Sequence, residues 1–167
     1  MRSITAGSSI TAMIFNLPPH CGQRSISMSN TRFSNRAQLI RIEAPGQDRI
    51  TAYGLFIDPP LGRAGMTEAE IRRSGRKALT GKRPMTRVGR AVEKGETQGF
   101  MKITVDAETK QILGAAILGV GGDEAIHSIL DVMYAKAPYT VLQRSVNIHP
   151  TVSELIPTIL GELKPMD

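Results

Sequence analysis

Several residue types are scarce in the sequence, and each shortage excludes a class of protein. Its 167 residues contain one cysteine, Cys21, so they hold no intrachain disulfide and no multi-cysteine metal site. A reducing compartment such as the cytoplasm is therefore expected. No run approaches the roughly 18 apolar residues of a membrane span, so no membrane association is expected. No Gly-x-Gly-x-x-Gly and no Gly-Lys-Ser/Thr motif occurs, and the sequence thus contains no recognisable nucleotide-binding loop.

Acidic residues are missing from positions 1–42, and this asymmetry explains most of the net charge of +6. Residues 43–167 carry 16 basic and 15 acidic side chains, whereas the first 42 residues carry five arginines: Arg2, Arg24, Arg32, Arg36 and Arg41. Nucleic-acid binding is not expected, because it requires a basic face on the folded domain itself.

Residues 1–48 are predicted to be a disordered arm. They are rich in Ser, Arg, Asn and Gln, and Pro18-Pro19 and Pro45-Gly46 interrupt any regular structure. An organelle transit peptide and an out-of-frame start upstream of the domain remain alternatives, because composition discriminates weakly between them. The folded domain is expected at residues 49–162, followed by a tail at 163–167.

Hydrophobic patterning after residue 49 predicts alternating strands and helices. Thr67-Glu68-Ala69-Glu70 is a capping box that opens a short helix. A second helix is expected after Gly121-Gly122, ending before Pro138, and a third from Thr140 to Arg144. Strands are predicted at 50–57, 85–92, 100–106 and 111–120, and residues 145–148 are strand-like. This order predicts an α+β fold, an antiparallel sheet with helices packed on one side.

Two of the predicted strands differ in how deeply they should be buried. Phe100, Lys102 and Thr104 alternate with apolar residues, as in a half-buried strand. The stretch 112–120 is nearly all apolar, so it should lie centrally in the sheet or in an interface.

Two polar features have a functional and a structural interpretation. Eight basic residues lie between Arg72 and Arg90, and they could bind anions. A solvated helix and edge strand is the favoured interpretation, because charged edges deter unwanted pairing. His127 lies beside the apolar stripe of its helix, and a packed or solvent-edge histidine is favoured over a ligand.

The candidate functional site is the stretch from Asn147 to Leu155. Pro150 suits the first turn of a helix, and Thr151 and Ser153 could cap its free N–H groups. The bend at Pro150 could bring Glu154 beside the His149 ring. A carboxylate on one ring nitrogen fixes the tautomer and leaves the other nitrogen free to take a proton. From the spacing alone, a capping or packing role for the histidine is the commoner outcome.

Three motifs resemble the pyridine nucleotide-disulfide oxidoreductases, FAD flavoproteins such as dihydrolipoamide dehydrogenase, glutathione reductase and mercuric reductase. The His149-Pro-Thr-x-Ser-Glu154 stretch is similar to their C-terminal signature. The stretch from Phe56 to Glu70 resembles the entrance to their dimerisation domain, and Gly99-Phe-Met-Lys102 with Ile112-Leu-Gly-Ala115 resembles its hairpin. The resemblance covers about residues 49–162, and the mercuric-reductase-like branch linked to reactive-chlorine resistance is the nearest.

The resemblance implies a role for each residue of the pair. His149 would be the acid–base partner of a redox-active cysteine pair in the other subunit of a dimer, and Glu154 would orient it. The family often has a second histidine where this chain has Asn147. Pro157 should also kink the terminal helix. The full-length proteins use FAD and NAD(P), but this sequence has no segment for either cofactor and Cys21 cannot replace a cysteine pair.

The expected function is therefore a dimerisation domain that is inactive alone and binds no cofactor or metal itself. One alternative is a subunit or fragment that completes the active site of a full-length flavoprotein. Another is a non-enzymatic homodimeric scaffold that uses the apolar strand 112–120 as its interface.

Overall fold

The computed structural model describes residues 49–166. The predicted N-terminal arm and Cys21 lie outside these residues. The strands are β1 (Ala52–Leu55), β2 (Leu61–Gly65), β3 (Ala78–Pro84), β4 (Phe100–Asp106), β5 (Ile112–Leu118) and β6 (Lys164–Pro165). The helices are α1 (Glu68–Arg73), α2 (Gly89–Lys94), α3 (Gly122–Tyr134), α4 (Thr140–Arg144) and α5 (Ile156–Gly161), and two 3₁₀ turns cover Met85–Arg87 and Ser153–Leu155.

The strands form one six-stranded sheet in the order β1-β2-β5-β4-β3-β6, and every neighbouring pair is antiparallel. The predicted α+β class with an antiparallel sheet is confirmed. β6 pairs with β3 through Leu79 and Thr80, so two residues of the predicted tail belong to the sheet.

The core lies on one face of the sheet. Met101, Ile103 and Val105 of β4 are fully buried there, and Lys102 and Thr104 point to the opposite face, as the alternation predicted. Helices α2 to α5 contribute buried residues to this core. α1 is the exception, because Ile71 packs with Ala78 and Leu113 in a separate small cluster. Glu68 of α1 also pairs with Lys102, which places α1 on the opposite face.

The prediction of a strand at 85–92 was wrong. Met85, Val88 and Ala91 are all fully buried in the core. Their spacing of three residues matches a helical repeat, and the chain forms a 3₁₀ turn followed by α2. The strand β3 lies just upstream instead.

The strand β2 was not predicted, because residues 61–65 were assigned to no element between the strand at 50–57 and the helix that opens at Thr67. Glycine is required at Gly62, since a β-carbon there would overlap the backbone carbonyl of Gly122 at the start of α3. Packing against α3 therefore explains why a glycine stands within this strand, and local propensity does not describe such a long-range contact.

The apolar stretch 112–120 forms the central strand β5, between β2 and β4. Its residues Ile112, Leu113, Ala115 and Ile117 are buried within the domain's own packing. Ala116 and Leu118 of the same strand are only partly buried, so the scaffold interface through residues 112–120 stays a prediction.

Candidate acid–base site

The site lies on an irregular segment, residues 145–152, that joins α4 to the second 3₁₀ turn. Both ends of the segment are held by the core. Leu142 of α4 is buried on one side, and Ile156, Ile159 and Leu160 of α5 are buried on the other. The segment itself is largely exposed, so its shape depends on polar contacts more than on packing.

The structure brings His149 and Glu154 together. Nδ1 of His149 lies 2.8 Å from Oε2 of Glu154. The backbone N–H of Thr151 donates to the same oxygen at 3.4 Å. A β-carbon at Gly89 would lie 3.4 Å from Oε1, so the first residue of α2 forms a wall behind the carboxylate. The Glu154 side chain is 21% exposed and the His149 side chain 77% exposed. Glu154 is therefore mostly covered by the domain, whereas the His149 ring faces solvent.

This geometry determines which ring nitrogen carries the proton. An ionised carboxylate only accepts hydrogen bonds, so Nδ1 of a neutral His149 must be the protonated nitrogen. Nε2 then keeps its lone pair, and within residues 49–166 it makes no hydrogen bond. The arrangement can accept a proton at Nε2, and the carboxylate stabilises the imidazolium that forms.

The route to this contact differs from the predicted one. No helix begins at Pro150, whose peptide bond with His149 is cis, and the next regular element is the 3₁₀ turn at Ser153. No side chain caps that turn. Thr151 Oγ1 instead donates to the carbonyl of Ile148 at 2.6 Å, because the turn brings that carbonyl within reach.

The predicted kink at Pro157 was also wrong. Pro157 lies in the first turn of α5, because the 3₁₀ turn separates α5 from the histidine segment. A proline is tolerated there, since its missing N–H would have had no helical partner.

Two large apolar side chains just before the histidine are exposed to solvent. Val146 is 96% exposed and Ile148 80% exposed. The sequence suggested a strand at 145–148, and no strand forms there. The alternation of apolar and polar residues was the available signal, but it marks exposed apolar residues here and not a buried strand face.

The other polar features are surface residues. His127 is exposed on α3. Arg76 pairs with Asp106, Arg83 with Glu162 and Arg90 with Glu93, in agreement with the solvated interpretation of the basic stretch.

Within residues 49–166 no group of three or more His, Cys, Asp or Glu side chains could hold a metal ion. None of the helices in this part of the chain has the length and apolar content needed to span a membrane.

The described residues do not fit FAD or NAD(P). Dinucleotides bind at the carboxyl ends of parallel strands, beside a glycine-rich turn and a helix N-terminus. The sheet of residues 49–166 contains only antiparallel pairs. A cleft of about 470 Å³ on the face opposite the core, lined by Arg63, Lys102 and Ala116 among others, lacks that arrangement.

The sequence of this α+β domain matches a known protein family. Residues 51–159 match the family model described as pyridine nucleotide-disulphide oxidoreductase, dimerisation domain. The chain belongs to this family through that domain.

Two named members of this family are similar to the chain in sequence. The chain is 36% identical over 112 residues to the probable pyridine nucleotide-disulfide oxidoreductase RclA of Escherichia coli, covering 67% of this chain and 25% of RclA. It is 33% identical over 102 residues to dihydrolipoyl dehydrogenase 3 of Haloarcula marismortui, covering 61% of this chain and 21% of that protein. The chain thus spans about a quarter of the length of the curated relatives it matches.

Solved structures agree with the sequence comparison. The HOCl-induced flavoprotein disulfide reductase RclA from Escherichia coli superimposes with a TM-score of 0.67 at 32% identity, covering 74% of this chain and 30% of that one. The predicted resemblance to the reactive-chlorine branch is confirmed by these RclA relatives. LpdA of Mycobacterium tuberculosis, at 21% identity and a TM-score of 0.64, shares the fold.

Proposed function

We propose that this chain supplies an acid–base histidine to the redox site of a flavoprotein disulfide oxidoreductase subunit within a dimer. The observation that carries the proposal is the 2.8 Å contact between Nδ1 of His149 and Glu154, combined with a ring that is 77% exposed. A histidine buried for packing would be covered by its own domain. The His149 ring is instead held by Glu154 at Nδ1 and is otherwise exposed to solvent.

The chemistry is a proton transfer to and from sulfur. A thiol must lose its proton before it attacks a disulfide, because the thiolate is the nucleophile. Nε2 of His149 accepts that proton, and the imidazolium is stabilised by Glu154. When the thiolate of the leaving group needs a proton, Nε2 returns it, so the histidine is unchanged over one cycle.

The groups that would be reduced and oxidised lie elsewhere. The 167 residues contain one cysteine, and residues 49–166 do not fit a dinucleotide. A cysteine pair, FAD and NAD(P) would come from residues beyond these 167 or from a partner chain. We therefore propose that these 167 residues are inactive alone, in a reducing compartment such as the cytoplasm.

The partner of this chain is proposed to be a flavoprotein subunit of the same family. Val146 and Ile148 support this choice, because exposed aliphatic side chains beside the histidine would be buried when its ring enters a partner's cleft. A second copy of this chain could form a homodimer through the same segment, but such a dimer would contain no redox site among these residues.

The test is complementation of a flavoprotein that lacks its own histidine. An RclA-type flavoprotein with that histidine replaced by alanine is mixed with the 167-residue chain, and its disulfide reductase turnover is measured. We expect the wild-type chain to raise turnover and His149→Ala to have no effect. His127→Ala is the matched control, because His127 is an exposed histidine on α3, and it should behave as wild type. Failure to detect a mixed dimer by light scattering would refute the proposal.

A further inference from the structure

We infer that Asn147 is a positioning residue that closes the turn carrying His149 and Glu154. The inference deepens the proposed function, since it concerns the same site. Its physical basis is independent of any partner, because every contact involved lies within this chain.

The amide of Asn147 uses both of its ends. Nδ2 donates to the backbone carbonyl of Ser153 at 2.6 Å. Oδ1 accepts from the hydroxyl of Ser145 at 3.3 Å. Ser145 Oγ also lies 2.8 Å from the carbonyl of Leu142 at the end of α4, so it shares its single proton between the two acceptors. These contacts link the end of α4 to the residue that immediately precedes Glu154.

The positions of Asn147 and Ser153 in the chain explain how the hydrogen bond between them affects the site. Asn147 lies two residues before His149, and Ser153 lies one residue before Glu154. Fixing these two points of the main chain limits the distance between the histidine and the glutamate. Val152 and Leu155 pack against the core beside Glu154. Packing does not hold the histidine side, because Ile148 is 80% exposed and the His149 side chain 77% exposed.

The required chemistry is specific to an amide. Alanine removes both the donor and the acceptor. Aspartate keeps the size but loses the donor, and its charge would face the Ser153 carbonyl oxygen. The second bond within the turn, from Thr151 Oγ1 to the Ile148 carbonyl, remains in both variants, so the segment should stay attached while the His149–Glu154 contact loosens.

The test reads the tautomer of His149 in the full 167-residue chain. The ¹⁵N shifts of the imidazole nitrogens show which nitrogen carries the proton when the ring is neutral. We expect Nδ1–H in the wild type, because Glu154 accepts from it. In Asn147→Ala and Asn147→Asp, the ratio of Nδ1–H to Nε2–H should fall about fivefold, the factor that corresponds to a hydrogen bond of about 1 kcal/mol.

Gln143→Ala is the matched control. Gln143 Nε2 also donates to a backbone carbonyl, that of Leu160 at 3.2 Å, but it does not contact the histidine segment. We expect a similar loss of stability and no change in the tautomer ratio. An unchanged ratio in a folded Asn147→Asp variant, or an equal change in Gln143→Ala, would overturn the inference. Failure of complementation with a normal tautomer response would instead overturn the proposed function alone.

Discussion

Replacing Asp106 with alanine should destabilise the domain by about 3 kcal/mol. Oδ1 of Asp106 accepts from the backbone N–H groups of Glu108 and Thr109 at 2.8 and 2.9 Å, and Oδ2 accepts from Arg76 at 3.2 Å. The side chain is 7% exposed. It therefore fixes the turn between β4 and β5, the two central strands of the sheet.

The magnitude follows from the three contacts. A hydrogen bond to a charged acceptor contributes about 1.5 kcal/mol or more, but the exposed turn lets water replace part of the loss. The two backbone contacts together then contribute about 2 kcal/mol. The Arg76 side chain is 49% exposed, so its ion pair contributes at most about 1 kcal/mol. Asp106→Asn keeps an oxygen for the backbone donors and should lose about 1 kcal/mol, mainly the ion pair.

The same contacts predict how stability depends on pH. The backbone N–H of Thr109, followed by that of Glu108 and then by Arg76, lowers the pKa of Asp106, and burial opposes this only in part. A lowered pKa in the folded state means that the stabilisation is present above the unfolded pKa of about 3.9 and is lost as the pH falls through the folded value. Asp106→Asn removes this contribution.

Urea denaturation of the full chain at neutral pH and at a series of pH values below about 5 would measure both effects. The difference in unfolding free energy between wild type and Asp106→Asn should shrink as the pH falls. A difference that stays constant to the lowest pH, or an Asp106→Ala variant as stable as the wild type, would refute the reasoning.

Other substitutions test the packing and the exposed segment. Gly62→Ala should cost about 2 kcal/mol or more, because its β-carbon would overlap the Gly122 carbonyl, whereas Gly54→Ala, with no neighbour nearer than 3.8 Å, should change stability little in the same urea denaturation. Equal effects of the two would contradict the close approach of β2 and α3. Val146→Ser with Ile148→Ser should leave the unfolding free energy within about 0.5 kcal/mol of wild type, since both side chains are exposed, and should weaken binding to the flavoprotein partner in a titration followed by light scattering. Unchanged binding would exclude these side chains from the partner interface.

The parts of the fold that were predictable are those with strong local signals. The alternation at 100–106 identified β4 and its buried face, and the capping box at Thr67 opens α1 as expected. β2 was missed because its glycines serve a contact with α3, more than 50 residues away in the chain. The buried residues Met85, Val88 and Ala91 were too few to separate a short helix from a strand.

The candidate site was predictable only as a pairing. The five-residue spacing and the bend at Pro150 suggested that Glu154 could reach His149, and the two side chains are in contact. The catalytic roles of both residues stay a prediction, as do the domain limits 49–162. The means of contact was not predictable, because the bonds from Asn147 to Ser153 and from Thr151 to Ile148 depend on the shape of an irregular loop.

The most direct test of the central claim is a double-mutant cycle in the complemented flavoprotein. His149→Ala, Glu154→Gln and the double variant are each mixed with the histidine-deficient subunit, and turnover is compared with that of the wild-type chain. Loss of a general acid–base group should lower turnover about 100-fold or more, and loss of its orienting carboxylate should lower it less. We predict that Glu154→Gln lowers turnover when His149 is present and leaves turnover unchanged in the His149→Ala background. Equal effects of Glu154→Gln in both backgrounds would contradict the claim that the two residues act as a unit.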